Sequence, residues 1–217
     1  MNIFQKLSWM SQMGIRNLCE ETPHSLSDIH TSKKASICLD DLDKSLMTSK
    51  SGLSATATHP FGGTGIIPAK VMCILEAPSA AEDRTGIPLS GPEGDLLKKM
   101  LAAIQLDVQT QTYVTYLSPW RPPGARLLTS TETQEGLTLL QKRIQVVNPK
   151  ILLVFGMSVT RALTGATLGQ IRNKHSEYNG IPLFATFAPN FLIKNENFKK
   201  QAWADLKTFH AFFEKEL

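Results

Sequence analysis

Three stretches concentrate the side chains able to do chemistry. The first runs from Leu75 to Gly91 as LEAPSAAEDRTGIPLSG and opens on a carboxylate, Glu76, with Pro78 behind it. A carboxylate there can position water or stabilise a cation; it can equally cap a helix or fix the loop. The second, YVTYLSPWRPPGAR, runs from Tyr113 to Arg126 and carries Arg121 and Arg126 around a stiff Pro122-Pro123 pair. Guanidinium groups on a stiffened loop suit phosphate binding, and ordinary solvated arginines are the alternative. The third, ATFAPNFLIK, runs from Ala185 to Lys194. It places Phe191, Leu192 and Ile193 beside Lys194, either as an apolar wedge next to a phosphate-binding lysine or as plain packing beside a solvated helix start.

The elements that must position these stretches follow a regular rhythm from Lys70 onward. Apolar or β-prone runs predict strands over 71–76, 112–117, Ile151–Phe155 and 181–187. Helical spacing predicts helices over 91–106, 131–147, 158–163 and 199–213, the last with Trp203, Leu206 and Phe209 or His210 facing inward. Strands alternating with helices predict an α/β fold with a parallel sheet covered on both faces. Such sheets carry their sites beyond the carboxyl ends of the strands. The functional rim is therefore expected in the loops after Glu76, Leu117, Phe155 and Phe187.

Residues 1–69 read as an N-terminal extension that packs on a main domain spanning 70–217. Phe4, Leu7, Met10, Ile15 and Leu18 have near-helical spacing, the middle of the extension is expected to be partly mobile, and His59 to Gly65 reads as a loop. The length of 217 residues and a hydrophobic share of 42% exclude wholesale disorder. The apolar runs are too short to span a bilayer, and the N-terminus does not read as a secretory signal, so a cytoplasmic protein without membrane contact is expected. Cys19, Cys38 and Cys73 are far apart, which excludes a disulfide framework and a metal or iron–sulfur set from one chain. A net charge of +4 suits a nucleic-acid partner and does not demand one.

Taken in order, four rim motifs resemble those of the family 4 uracil-DNA glycosylases. The first stretch is similar to GEAPGxxEDxxGxPFVG and the second to VYITNxxxxRPPGNR. NPKILLVFG, from Asn148 to Gly156, is similar to PKxIxxLG, and the third stretch to ATFHPAYLLR. The resemblance implies a three-layer α/β/α fold with a central four-stranded parallel sheet. It also implies a monomeric DNA-repair enzyme that flips uracil out of single- or double-stranded DNA and hydrolyses its N-glycosidic bond.

Residue by residue, the match is incomplete. Glu76 matches the catalytic glutamate of motif one. Ala77, Pro78 and Ser79 continue the pocket loop, with Ser79 in place of a glycine. Leu89 stands where the family stacks a Phe on uracil, and a core leucine is the plainer reading. Tyr116 stands where an Asn reads uracil, and it would fill part of the pocket. Ala188 replaces the His that donates to the departing base, a loss of ~10²–10³ in rate for one such donor. Arg121 and Arg126, with the Phe191, Leu192, Ile193 and Lys194 loop, match the DNA-contacting positions. Trp120 and Gly136 stand where two cysteines would hold an iron–sulfur cluster, so no cofactor is expected. The resemblance therefore implies a relative with weak or absent activity on uracil. The alternative is a non-catalytic relative that binds DNA or another protein.

Overall fold

The computed structural model describes residues 38–49 and 51–216. The helix expected near residues 4–18 lies outside them, as does Cys19. The described residues fall in one compact unit, Ser36–Leu217. Its strands are β1 (Gly63–Gly65), β2 (Val71–Leu75), β3 (Thr112–Tyr116), β4 (Ile151–Phe155), β5 (Ser176–Tyr178) and β6 (Ile181–Thr186). Its helices are α1 (Leu39–Met47), α2 (Ala80–Thr85), α3 (Gly91–Ala102), α4 (Ser130–Val147), α5 (Met157–Thr164), α6 (Leu168–Ile171), α7 (Pro189–Lys194) and α8 (Lys199–Glu216).

All six strands join one sheet in the order β1-β3-β2-β4-β6-β5. The four central strands are parallel: Cys73 pairs with Val114 on one side and Leu153 on the other, and Leu153 pairs with Phe184. The two edges are antiparallel, β1 on β3 and β5 on β6. The expected four-stranded parallel sheet is thus the centre of a six-stranded mixed one. The added strands are only three residues long, too short to show a period. Gly63-Thr64-Gly65 also lacks β-propensity, and the expected loop is an edge strand instead. Glycine is required at its end, because a Cβ on Gly65 would collide with the Thr112 carbonyl oxygen.

Strand alternation sends side chains to two cores. Val71 and Cys73 pack with Leu97 and Leu101 of α3 and Leu206 and Phe209 of α8. Met72 and Ile74 pack with Leu140 and Ile144 of α4 and Val159 of α5. The central strands are buried on both faces, which is why β2 and β4 read as continuous apolar runs. The three-layer α/β/α arrangement follows. On α8 the buried face is Ala202, Asp205, Leu206, Phe209 and Phe213, and Trp203 is 42% exposed. The inward placement expected for Trp203 is therefore corrected. One residue is a 100° step around a helix, and position 203 falls off the stripe.

Residues 38–69, placed by the sequence in the extension, contribute α1 and β1 to this unit. Leu46, Leu53 and Trp120 form a small cluster. The buried Arg143 of α4 donates to Asp43 at 2.5 Å and to the Tyr113 hydroxyl at 2.9 Å. The Phe61 amide donates to the Pro119 carbonyl at 2.8 Å. Among the described residues no helix is long and apolar enough to cross a membrane.

Candidate functional site

The carboxyl ends of β2, β3, β4 and β6 converge on two adjoining hollows of about 180 and 260 Å³. Both are lined by Glu76, Leu127 and Asn190. The smaller adds Ala77, Pro78, Ser79, Glu93, Arg121 and Arg126. The larger adds Gly156, Ser158, Phe187, Ala188, Phe191 and Lys194. Most of the residues chosen from sequence are thus brought together, while Leu89, Tyr116, Leu192 and Ile193 line neither hollow.

Glu76 sits one residue past β2, its carbonyl fixed by the Ser118 amide at 2.9 Å. Its Oε1 is buried and has no hydrogen-bond partner. A buried carboxylate oxygen normally finds a donor, so this one is open to a ligand or water. The next turn is built by a second carboxylate. Ser79 caps α2, accepting from the Glu82 amide at 3.2 Å, while Glu82 accepts from the Ser79 amide at 2.7 Å. Glu82 is buried and also accepts from the Leu89 amide at 2.7 Å and from the Tyr116 hydroxyl. One carboxylate therefore ties together the cap of α2, the loop before α3 and the end of β3.

Glu82 decides what Tyr116 and Leu89 do. Tyr116 is buried, with its hydroxyl committed to Glu82; burial first, and the Glu82 charge second, push its pKa far above the usual phenol range. It fills space and stays protonated. Leu89 is buried in the core that also holds Leu97, at a left-handed φ of 56°. The Glu82 bond to its amide holds that conformation.

Ala188 is the cap of α7 and leaves only a methyl group at the end of β6. Behind it lies an aromatic wall. Phe187 stacks on Phe191 at 5.3 Å between ring centres and packs edge-on against Phe198 at 5.2 Å. The Arg172 guanidinium lies 4.3 Å above the Phe187 ring and is anchored by Asp205 at 2.8 Å. On α7, Leu192 is buried in the core, whereas Phe191 and Ile193 are exposed. Of the expected apolar wedge, Leu192 is not available.

The arginines separate as well. Arg126 is engaged on both nitrogens by Glu132, at 2.8 and 2.7 Å. That fork, joined by the Thr129 amide, holds the Glu132 carboxyl down to about 2. Arg126 is thus a loop fastener at the start of α4. Arg121 instead lines the smaller hollow, where its charge acts on Glu93. Glu93 is half-buried in the first turn of α3. Burial first, and Glu82 second, raise its pKa above the usual carboxylate range, against the pull of Lys194 and Arg121.

Glu82, Glu93, Leu127 and Asn190 were not assigned roles from sequence. Glu82 was legible as the fourth position of Ser79-Ala-Ala-Glu82, a capping-box spacing. Glu93 carried no such signal, since an acidic first turn is ordinary helix chemistry.

Trp120 and Gly136 stand where the resemblance places two cysteine ligands of an iron–sulfur cluster. Trp120 is buried against Leu46 and Leu53 at one expected ligand position. At the other, any Cβ on Gly136 would strike the Leu117 carbonyl oxygen. Among the described residues no group of three or more His, Cys, Asp or Glu is placed to hold a metal ion. Cys73 is buried in the sheet, which pushes its thiol pKa upward.

The family model for the Uracil DNA glycosylase superfamily matches residues 62–207. The type-4 uracil-DNA glycosylase of Sulfurisphaera tokodaii is 27% identical over 160 residues, covering 69% of this chain and 73% of that one. That of Archaeoglobus fulgidus is 25% identical over 180 residues, covering 78% and 90%. A DNA polymerase of Bacillus phage SP01 is 28% identical over 156 residues; the match covers 71% of this chain and only 17% of the polymerase. Among solved structures, wild-type SMUG2 of Pedobacter heparinus has a TM-score of 0.49 at 12% identity, covering 82% and 97% of the two chains.

Proposed function

The chain belongs to the Uracil DNA glycosylase superfamily, and from that premise we propose that it is a DNA-repair protein of the glycosylase class whose action on uracil is weak or absent. The observation that carries this reading is the closed Tyr116–Glu82 pair beside an open Glu76. Where family 4 proteins read uracil with an amide, this chain has a phenol whose hydroxyl is already committed. Where they donate to the departing base, it has the methyl group of Ala188. Loss of such a donor costs roughly 3–4 kcal/mol of transition-state stabilisation.

The residues that remain support contact with DNA. Arg121 and Lys194 line the two hollows and supply positive charge for phosphates. Phe191 and Ile193 offer an exposed apolar surface on α7 for the space left by an extruded base. Glu76, with an unpaired oxygen at the strand end, is the group to direct water or to stabilise a sugar cation. Tyr116 acts by shape, its ring filling space at the end of β3, while Leu89 packs in the core and Ser79 caps a helix.

The test is binding and excision on the same oligonucleotides. Single- and double-stranded DNA, with and without uracil, should bind with an affinity that falls steeply with salt. Abasic sites should form slowly or not at all on the uracil strand in excess protein. Salt-independent or absent DNA binding would refute the DNA reading. Rapid Glu76-dependent loss of uracil would refute the closed pocket.

A further inference from the structure

We propose that Glu93 is a proton-donating catalytic residue of this site and that the base it serves presents an amidine edge, an amino group beside a ring nitrogen, as in a modified cytosine or adenine. This rests on the DNA-glycosylase reading above and names the substrate class for it.

The smaller hollow is rich in acceptors. Glu76 and Glu93 both line it, and of its two arginines Arg126 is held by Glu132, leaving Arg121. Uracil is a poor match for such walls. It presents one N–H donor between two carbonyl acceptors and leaves as an anion, which carboxylates repel. An amidine edge is complementary. Its amino group donates to a carboxyl oxygen, while its ring nitrogen accepts the proton of a carboxylic acid.

Glu93 stands half-buried in the first turn of α3, among charged neighbours on every side of the hollow. Glu82 faces it from α2, Arg121 from the loop after β3, Lys194 from α7, and Glu76 lines the same hollow. Burial and Glu82 favour the protonated acid, and the two cations only partly oppose them. The same pair of effects discourages an anionic leaving group nearby.

The Glu93 carboxyl proton passes to the ring nitrogen of the base. The bond between C1′ and the base then breaks, its electron pair going to the base, which departs neutral. The sugar cation is captured by water, forming a new C1′–O bond, and the water's proton passes to the Glu76 carboxylate. Exchange with solvent returns both carboxyls to their starting states. No oxidant, reductant or further group is required.

A matched substrate pair tests this. Single-stranded DNA carrying one 5-hydroxycytosine is compared with the same strand carrying 5-hydroxyuracil, which differs only in the pairing edge. In excess protein, abasic sites should form on the cytosine strand and not on the uracil strand, at a rate that falls as pH rises through the titration of Glu93. Glu93→Gln should lower that rate by ~10²–10⁴-fold while DNA affinity holds. Should this variant fail to fold, the matched pair and the pH profile of the native chain decide alone. Equal or faster cutting of the uracil strand overturns the proposal. So does a folded Glu93→Gln variant with native rate, or no cutting of either strand by native protein that binds both. If the native protein binds neither strand, the DNA reading itself fails, and this outcome is separate from the others.

Discussion

Glu82 takes three donors, the Ser79 amide, the Leu89 amide and the Tyr116 hydroxyl, and so sets the form of the pocket. Tyr116→Phe removes a bond to a charged group in a buried setting, and should destabilise the protein by about 1.5–3 kcal/mol in denaturant unfolding. A purely space-filling tyrosine would cost far less. Glu93 gives a second residue-scale test. Its pKa is raised from the ordinary 4.5, so the folded state holds the proton more tightly than the unfolded chain. The stability this provides is fully present below 4.5 and is lost as pH rises through the raised folded value. Glu93→Gln should flatten that part of the pH–stability profile, measured by thermal unfolding, and an unchanged profile would count against the burial of Glu93.

At the scale of elements, α7 shows how one helix divides its work. Leu192 points into the core, so Leu192→Ala should cost about 2–5 kcal/mol of stability. Ile193 is 41% exposed, and Ile193→Ala should leave the unfolding midpoint nearly unchanged while weakening DNA binding. The sequence grouped these residues together, because a six-residue helix is too short for a period to assign its faces. Longer elements were easier to read. The strands at 71–75, 112–116, 151–155 and 181–186 showed as apolar or β-prone runs, and the helices at 130–147 and 199–216 through their spacing. The edge strands β1 and β5 had no such signal, since pairing with a neighbour, not propensity, makes them strands. In the site, Glu76 was legible from its strand-end position. The partners of Tyr116 and Arg126 were not: Glu82 and Glu132 meet them only once loops have folded, and Glu82 lies 34 residues from Tyr116.

For the molecule as a whole, the parallel sheet brings loops from four strands onto one rim, and the chain carries a net charge of +4. The charge should act through specific residues. Arg121 lines the open hollow, so Arg121→Ala should reduce the slope of log affinity against log salt by about 1. Arg126 is already paired with Glu132, and Arg126→Ala should leave the slope nearly unaltered. Equal changes for both would contradict the division between a DNA contact and a loop fastener.

In the proposed function, Tyr116 fills the place where uracil would be read and Ala188 leaves no donor for the departing base, while the DNA contacts remain. The most direct measurement is single-turnover release of uracil by the native chain and by the Ala188→His, Tyr116→Asn double variant on the same labelled strand. Few or no abasic sites are expected with the native chain, and clear excision with the double variant. Rapid excision by the native chain, abolished by Glu76→Ala, would contradict this reading.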